Sequence, residues 1–143
     1  MKKKVYITTA AFAMLIIITI FIAANTSFNS SETAAEYVAS LGWEVDKNPI
    51  EVEEVDLPVA FDDVYTNYNK LQNEAGFDLL DYAGKKATRY TFLITNFLDK
   101  KGIRANVLMY NGKIIGGDIM TVAIDGFMLP LKNRADTMRD IGY

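Results

Sequence analysis

Three consecutive lysines, Lys2, Lys3 and Lys4, precede twenty residues without a charge, and this stretch limits the possible folds more than any other. Between Val5 and Ala24 the polar members are Tyr6, Thr8, Thr9 and Thr19, among Ile7, Phe12, Met14, Leu15, Ile16, Ile17, Ile18, Ile20, Phe21 and Ile22. Twenty helical residues at about 1.5 Å each reach roughly 30 Å, the hydrocarbon thickness of a bilayer. A buried helix of a soluble protein rarely stays apolar on every face for that length. Lysines stay on the cytoplasmic side, so the sequence predicts a single-pass signal-anchor at 1–24 with the rest of the chain extracytoplasmic. A cleaved signal is the alternative, with Ala24 and Thr26 at the two critical positions; it exports the same domain as a secreted form.

The remaining 119 residues suffice for one domain. The chain has no cysteine and no histidine. That excludes disulfides, thiol nucleophiles, thiolate metal sites, Ser-His-Asp and Cys-His constellations and the usual zinc ligand. The exported part has a balance of −6, which argues against nucleic acid as a partner. Acids crowd residues 32–63 and bases residues 70–113, a division that reads as two parts of one fold neutralising each other.

Asn25–Ser31 reads as a polar linker. A helix capped by Ser31 or Thr33 should follow to about Leu41, with Glu36 completing a capping box and Gly42 ending it. Trp43-Glu44-Val45 reads as a short strand. Ile50–Leu57 alternates apolar and acidic residues and slips phase at Glu53-Glu54, predicting a β-bulge before Pro58. A second helix opens on Asp62 or Asp63, repeats Phe61, Val64, Tyr65, Tyr68, Leu71, Gln72 and Ala75 at helical spacing, and stops at Gly76. Strands follow at Thr88–Phe97, Ile103–Tyr110 and Lys113–Thr121. A turn at Asp99–Gly102 joins the first two, and Asn111-Gly112 is a type I′ hairpin turn between the last two. Ile124–Leu131 adds an edge segment around Asp125-Gly126, and 132–143 reads as a polar, weakly structured tail. The order implies an α+β fold: a transmembrane helix, then an exported domain (32–131) with two helices on one face of an antiparallel sheet of about four to five strands ending in a meander.

Several pieces resemble one small bacterial family: Gly42-Trp43-Glu44-Val45, Tyr65-x-x-Tyr68-Asn69-x-x-Gln72, Gly76-Phe77-Asp78-Leu79, Arg89-Tyr90-Thr91-Phe92, Ala105-Asn106-Val107-Leu108 and Ile114-Ile115-Gly116-Gly117-Asp118-Ile119, followed by Asp125-Gly126-Phe127-Met128. In this order they resemble the domain-of-unknown-function family 4830, exported proteins of clostridial Firmicutes with an N-terminal hydrophobic segment. The resemblance covers about Thr33 to Leu131. It implies export and bacterial origin, and no activity, substrate or catalytic residue.

The candidate ligand-binding residues are Gly116, Gly117, Asp118, Tyr68, Asn69 and Arg89. Paired glycines inside a strand mark a close backbone approach; Gly116 and Gly117 either offer amides to a ligand beside Asp118 or make room for Trp43 or a helix. Tyr68 and Asn69 show a polar edge on an otherwise packing face. Arg89 is either a carboxylate receptor or a structural partner of Asp78 or Asp81. Glu51, Glu53, Glu54 and Asp56 suggest calcium, but strand alternation keeps them from converging, so no metal is expected. No cofactor is implied. The aromatic residues Trp43, Tyr65, Tyr68, Phe77, Tyr82, Tyr90 and Phe92 fall mainly at core spacing. An exposed edge near Ile114-Ile115 or Ile124–Leu131 is a natural surface for an added strand.

Without a catalytic motif, the leading expectation is a non-catalytic protein- or peptide-binding module at the cell surface, not an enzyme. One alternative is a carboxylate enzyme on cell-wall glycan, using two of Glu44, Glu51, Glu54, Asp78 and Asp118. Another is a structural or regulatory subunit of a membrane complex.

Overall fold

A computed structural model describes residues 2–98, 101–123 and 126–143; for residues 2–11, 24, 25, 27 and 28 it describes the backbone alone. The chain divides into two units, Met1–Ser30 and Ser31–Tyr143. Secondary structure begins with α1 (Lys2–Ser40), followed by β1 (Glu51–Asp56), α2 (Asp63–Glu74), a short 3₁₀ helix (Leu79–Tyr82) and β2 (Lys86–Leu93). Then come β3 (Ile103–Tyr110), β4 (Lys113–Thr121), β5 (Met128–Pro130) and α3 (Arg134–Asp140). The architecture is α+β with one five-stranded antiparallel sheet in the order β1-β2-β3-β4-β5.

In the first unit the described side chains from Phe12 to Ile22 are all exposed, including Phe12, Met14, Ile17, Ile20 and Phe21. Among the described residues no helix is long and apolar enough to cross a membrane. The lysines and the start of the uncharged run lie among residues whose side chains are not described. The expected linker at Asn25–Ser31 is helical, and the separate helix start at Ser31 or Thr33 is absent. Hydroxyl residues weaken helices by competing for backbone groups; here Thr26 Oγ1 donates to Ile22 C=O at 2.9 Å, so that competition is answered within the helix.

In the second unit strand register sorts the side chains. Tyr90, Phe92, Ala105, Val107 and Ile119 share one face, since Tyr90 opposes Val107, Phe92 opposes Ala105, and Ala105 opposes Ile119. Ala34, Ala35 and Val38 of α1, Trp43, Leu131 and Met138 of α3 cover this face. The opposite face carries Ala87, Leu108 and Ile115, covered by Leu57, by Leu79 of the 3₁₀ helix, and by Phe61, Tyr65 and Tyr68. Helices therefore pack on both faces, where the sequence led us to expect one. Helical periodicity identifies a buried stripe without saying which side of the sheet receives it.

Two further expectations change. Asn133–Tyr143 is no loose tail: Asn133 Oδ1 accepts from Ala135 N–H to cap α3, Thr137 and Met138 are buried, and Arg134 N–H bonds Leu41 C=O at 2.8 Å. Register is regular from Glu51 to Asp56, with no bulge at Glu53-Glu54; the irregularity lies between Leu108 and Met109, opposite Ile114 and Gly116. That extra residue turns Ile115 onto the second face while Ile114 stays on the first. β5 pairs only with Asp118–Met120, so among the described residues the Ile114-Ile115 stretch of β4 has β3 as its one strand neighbour, and the outermost strands are β1 and β5. Trp43-Glu44-Val45 forms only an isolated bridge, Val45 to Ile94.

The hairpin signal is realised, with Asn111 at φ 48° and Gly112 at φ 75°. The Asp99-Lys100 part of the expected turn and the Ile124-Asp125 part of the edge segment fall outside the described residues, while Gly102 takes the positive φ of 77° that such a turn favours. α2 opens as expected, with Asp62 Oδ1 accepting from Tyr65 N–H at 2.9 Å.

Candidate functional site

Pairings Thr91↔Asn106 and Asn106↔Asp118 set three polar side chains in one row across β2, β3 and β4. Thr91 Oγ1 donates to Asn106 Oδ1, and Asn106 Nδ2 donates to Asp118 Oδ1, each at 2.8 Å. From above, Tyr68 on α2 donates its hydroxyl to Asp118 Oδ2 at 2.8 Å. All three row members are nearly inaccessible, with Asp118 2 % exposed. Burial pushes the Asp118 carboxyl above its usual range, against the opposing pull of Asn106, Tyr68 and the charge of Arg89. The Tyr68 hydroxyl is likewise raised, chiefly by burial and then by the Asp118 charge, and stays protonated as a donor.

Beside this row a cavity of about 610 Å³ opens between α2 and the sheet. Its walls are Val55, Leu57, Leu108, Met120 and Met128 from the sheet side, with Val64, Tyr65 and Leu71 from α2. Tyr68, Asn106, Asp118 and Arg89 give it a polar floor, and Asn67 adds an amide. That size and mixture are usual for ligand sites, and unlike the small voids of a packed interior.

Arg89 reaches the cavity from β2. Its Nη2 pairs with the carboxylate of Glu53, the residue directly opposite on β1. Its Nε is buried without a partner among the described residues. The charge of Arg89 acts on Asp118 through space, whereas the hydrogen bonds of that carboxylate come from Tyr68 and Asn106. Glu51, on the same face, lies 3.9 Å from Arg104.

The six residues singled out in the sequence separate into two groups. Tyr68, Arg89 and Asp118 meet at the cavity. Asn69 instead organises the chain after α2: its Oδ1 accepts from Leu79 N–H at 2.7 Å and its Nδ2 donates to Asp78 at 2.8 Å. Asp78 caps the 3₁₀ helix, and the Asn69 bond holds its carboxyl below the usual range. Arg89 pairs with Glu53 and with neither Asp78 nor Asp81.

The glycines permit close approach. A Cβ on Gly116 would lie 2.8 Å from Gln72 Oε1, and one on Gly117 would lie 2.5 Å from both Asn106 O and Leu131 Cδ2. Gly117 N–H is taken by Gln72 Oε1 at 2.7 Å, so it is not offered to a ligand. Sequence reasoning passed over Asn106 and Thr91, whose signal is a polar residue within an apolar strand run. Glu51 and Glu53 share the cavity face while Glu54 and Asp56 take the other, and among the described residues no three acids gather as a metal site.

The family model for a domain of unknown function (DUF4830) matches residues 37–119, a span that contains β1 to β3, α2 and the polar row. No curated protein and no solved structure matches the chain.

Proposed function

The chain belongs to the DUF4830 family, and for it we propose the role of a non-catalytic module, anchored in a bacterial cell membrane by its N-terminal helix, that binds a protein or peptide partner outside the cell. The observation that carries this reading is the 610 Å³ cavity: apolar walls beside a hydrogen-bonded polar floor suit a ligand with both apolar and peptide-like groups. The exposed apolar side chains from Phe12 to Ile22, with three lysines ahead of them, support a lipid-embedded helix with the domain outside.

The glycan-hydrolase alternative has less support. Both Asp118 oxygens already accept hydrogen bonds, Asp78 caps a helix, and Glu54 lies on the face away from the cavity. A two-carboxylate mechanism needs both groups facing one substrate bond.

Photo-crosslinking in intact cells tests the proposal. A crosslinking amino acid at Val64 or Met128, beside the cavity, should capture the same partner, while one at Glu54 should not. Capture at all three positions alike, or at Glu54 alone, would refute the assignment of the cavity as the binding surface.

A further inference from the structure

The cavity has one polar group whose bonding is incomplete. Tyr68, Asp118, Asn106 and Thr91 satisfy one another, whereas Arg89 keeps a buried Nε–H with no acceptor among the described residues. Leaving a buried donor unpaired is unfavourable, and a ligand oxygen that reaches it removes the penalty. Nε–H and the adjacent Nη–H of a guanidinium form a fork that matches the two oxygens of a carboxylate.

A carboxylate already occupies part of that fork. Glu53 reaches Arg89 from the edge strand, and its side chain is 51 % exposed. It stands where an incoming carboxylate would bind, and an exposed ion pair is weak enough to be exchanged. Asp118 does not compete for the fork, since its hydrogen bonds come from Tyr68 and Asn106.

We propose that the cavity recognises the free C-terminus of a peptide, with the terminal carboxylate on Arg89 in place of Glu53 and apolar last side chains against Val55, Leu57, Leu108 and Met120. This rests on the reading of the cavity as a peptide site and specifies which end of the peptide it takes. A peptide end suits the lining better than an alkyl chain does. Asn67 and the Nε–H of Arg89 lie among the apolar walls and would face methylenes if a lipid filled the space, a mismatch that backbone C=O groups and a terminal carboxylate avoid.

The test uses the full-length chain in lipid nanodiscs and calorimetric titration with a mixture of short peptides. Their last two residues are drawn from Leu, Ile, Val, Met and Phe. Three probes are compared: the free acids, the same mixture amidated at the C-terminus, and decanoate. The free acids should bind at least about tenfold more tightly than the amides. Arg89→Gln should abolish that difference, Arg89→Lys should retain a fraction of it, and Glu53→Gln should bind the free acids about threefold or more tightly, because the resident competitor is gone. A purely structural Arg89–Glu53 pair would give no gain on losing Glu53. Circular dichroism of each variant verifies folding.

Equal binding of acids and amides would overturn the C-terminal inference and leave the peptide site standing. Binding of decanoate without peptide would overturn the peptide assignment. No binding of any probe to the folded chain would overturn both.

Discussion

Tyr68→Phe removes one oxygen and leaves the ring in place, so its effect reports on the bond to Asp118. That bond is 2.8 Å long, and its acceptor is a carboxylate only 2 % exposed, where water competes poorly with the lost donor. Hydrogen bonds to charged groups contribute about 1.5–3 kcal/mol, so we expect a loss of about 2 kcal/mol near neutral pH. For a unit of this size that corresponds to roughly 8 °C in melting temperature. The assay is unfolding followed by the fluorescence of Trp43, the only tryptophan, which stacks on Phe97 with ring centroids 5.6 Å apart.

The sign of the pH dependence is determined by the shift of Asp118. Burial raises its folded pKa, so the folded state holds the proton more readily than the unfolded state; the contribution of this one group to stability is greatest at low pH and falls as pH rises through the folded value. Losing the Tyr68 donor raises that value further, so the variant's deficit should narrow on acidification as Asp118 becomes neutral. In an Asp118→Asn background the same substitution should be smaller by about 1 kcal/mol, a coupling that a double-mutant cycle measures. Equal loss in both backgrounds, or a deficit that widens in acid, would refute the reasoning.

Other expectations concern the neighbouring backbone and the anchor. Gly117→Ala should destabilise by about 2 kcal/mol, since the Asn106 carbonyl that its Cβ meets is backbone and cannot move aside, whereas Gly116→Ala meets side-chain ends and should lose about 1 kcal/mol or less; urea titration gives the order. Asn69→Ala leaves the buried Leu79 N–H without an acceptor and should lose about 2 kcal/mol in the same titration. That variant should also weaken the destabilisation that sets in as pH falls through the lowered folded pKa of Asp78, whose stabilising effect is complete only above the ordinary carboxylate range. Ile17→Lys places a charge in the middle of the uncharged run, at about 2.5–3.5 kcal/mol, and cell fractionation should find less of the chain in the membrane.

Local signals carried much of the fold. Asp62 marked the start of α2, and Asn111-Gly112 marked the β3–β4 hairpin, because each depends on a few adjacent residues. The α3 helix escaped notice because seven largely polar residues have little periodicity; its stability comes from burial of Met138 and the bond from Arg134 N–H to Leu41 C=O, a contact between distant parts of the chain. The cavity was hidden for a related reason. Tyr68, Arg89 and Asp118 were each visible as polar residues in apolar surroundings, but Asn106, which links β2 to β4, gains its meaning only when both pairings are known. Glu53 looked like part of a solvated acidic strand until register placed it opposite Arg89.

The row of Thr91, Asn106 and Asp118 also bears on how the strands find their alignment. A slip of two residues between β3 and β4 would keep every apolar residue on its proper side, so the hydrophobic pattern alone does not forbid it. Such a slip would set Asp118 against Leu108 or Arg104 instead of Asn106, and would move Gly117 away from Val107. While the sheet is open, water can solvate the stranded carboxylate. In the slip toward Leu108, once α2 closes over that face, Asp118 would keep Tyr68 and lose its second donor, and burial of a half-bonded charge is strongly unfavourable. Docking of one helix thereby proofreads the pairing of β3 with β4.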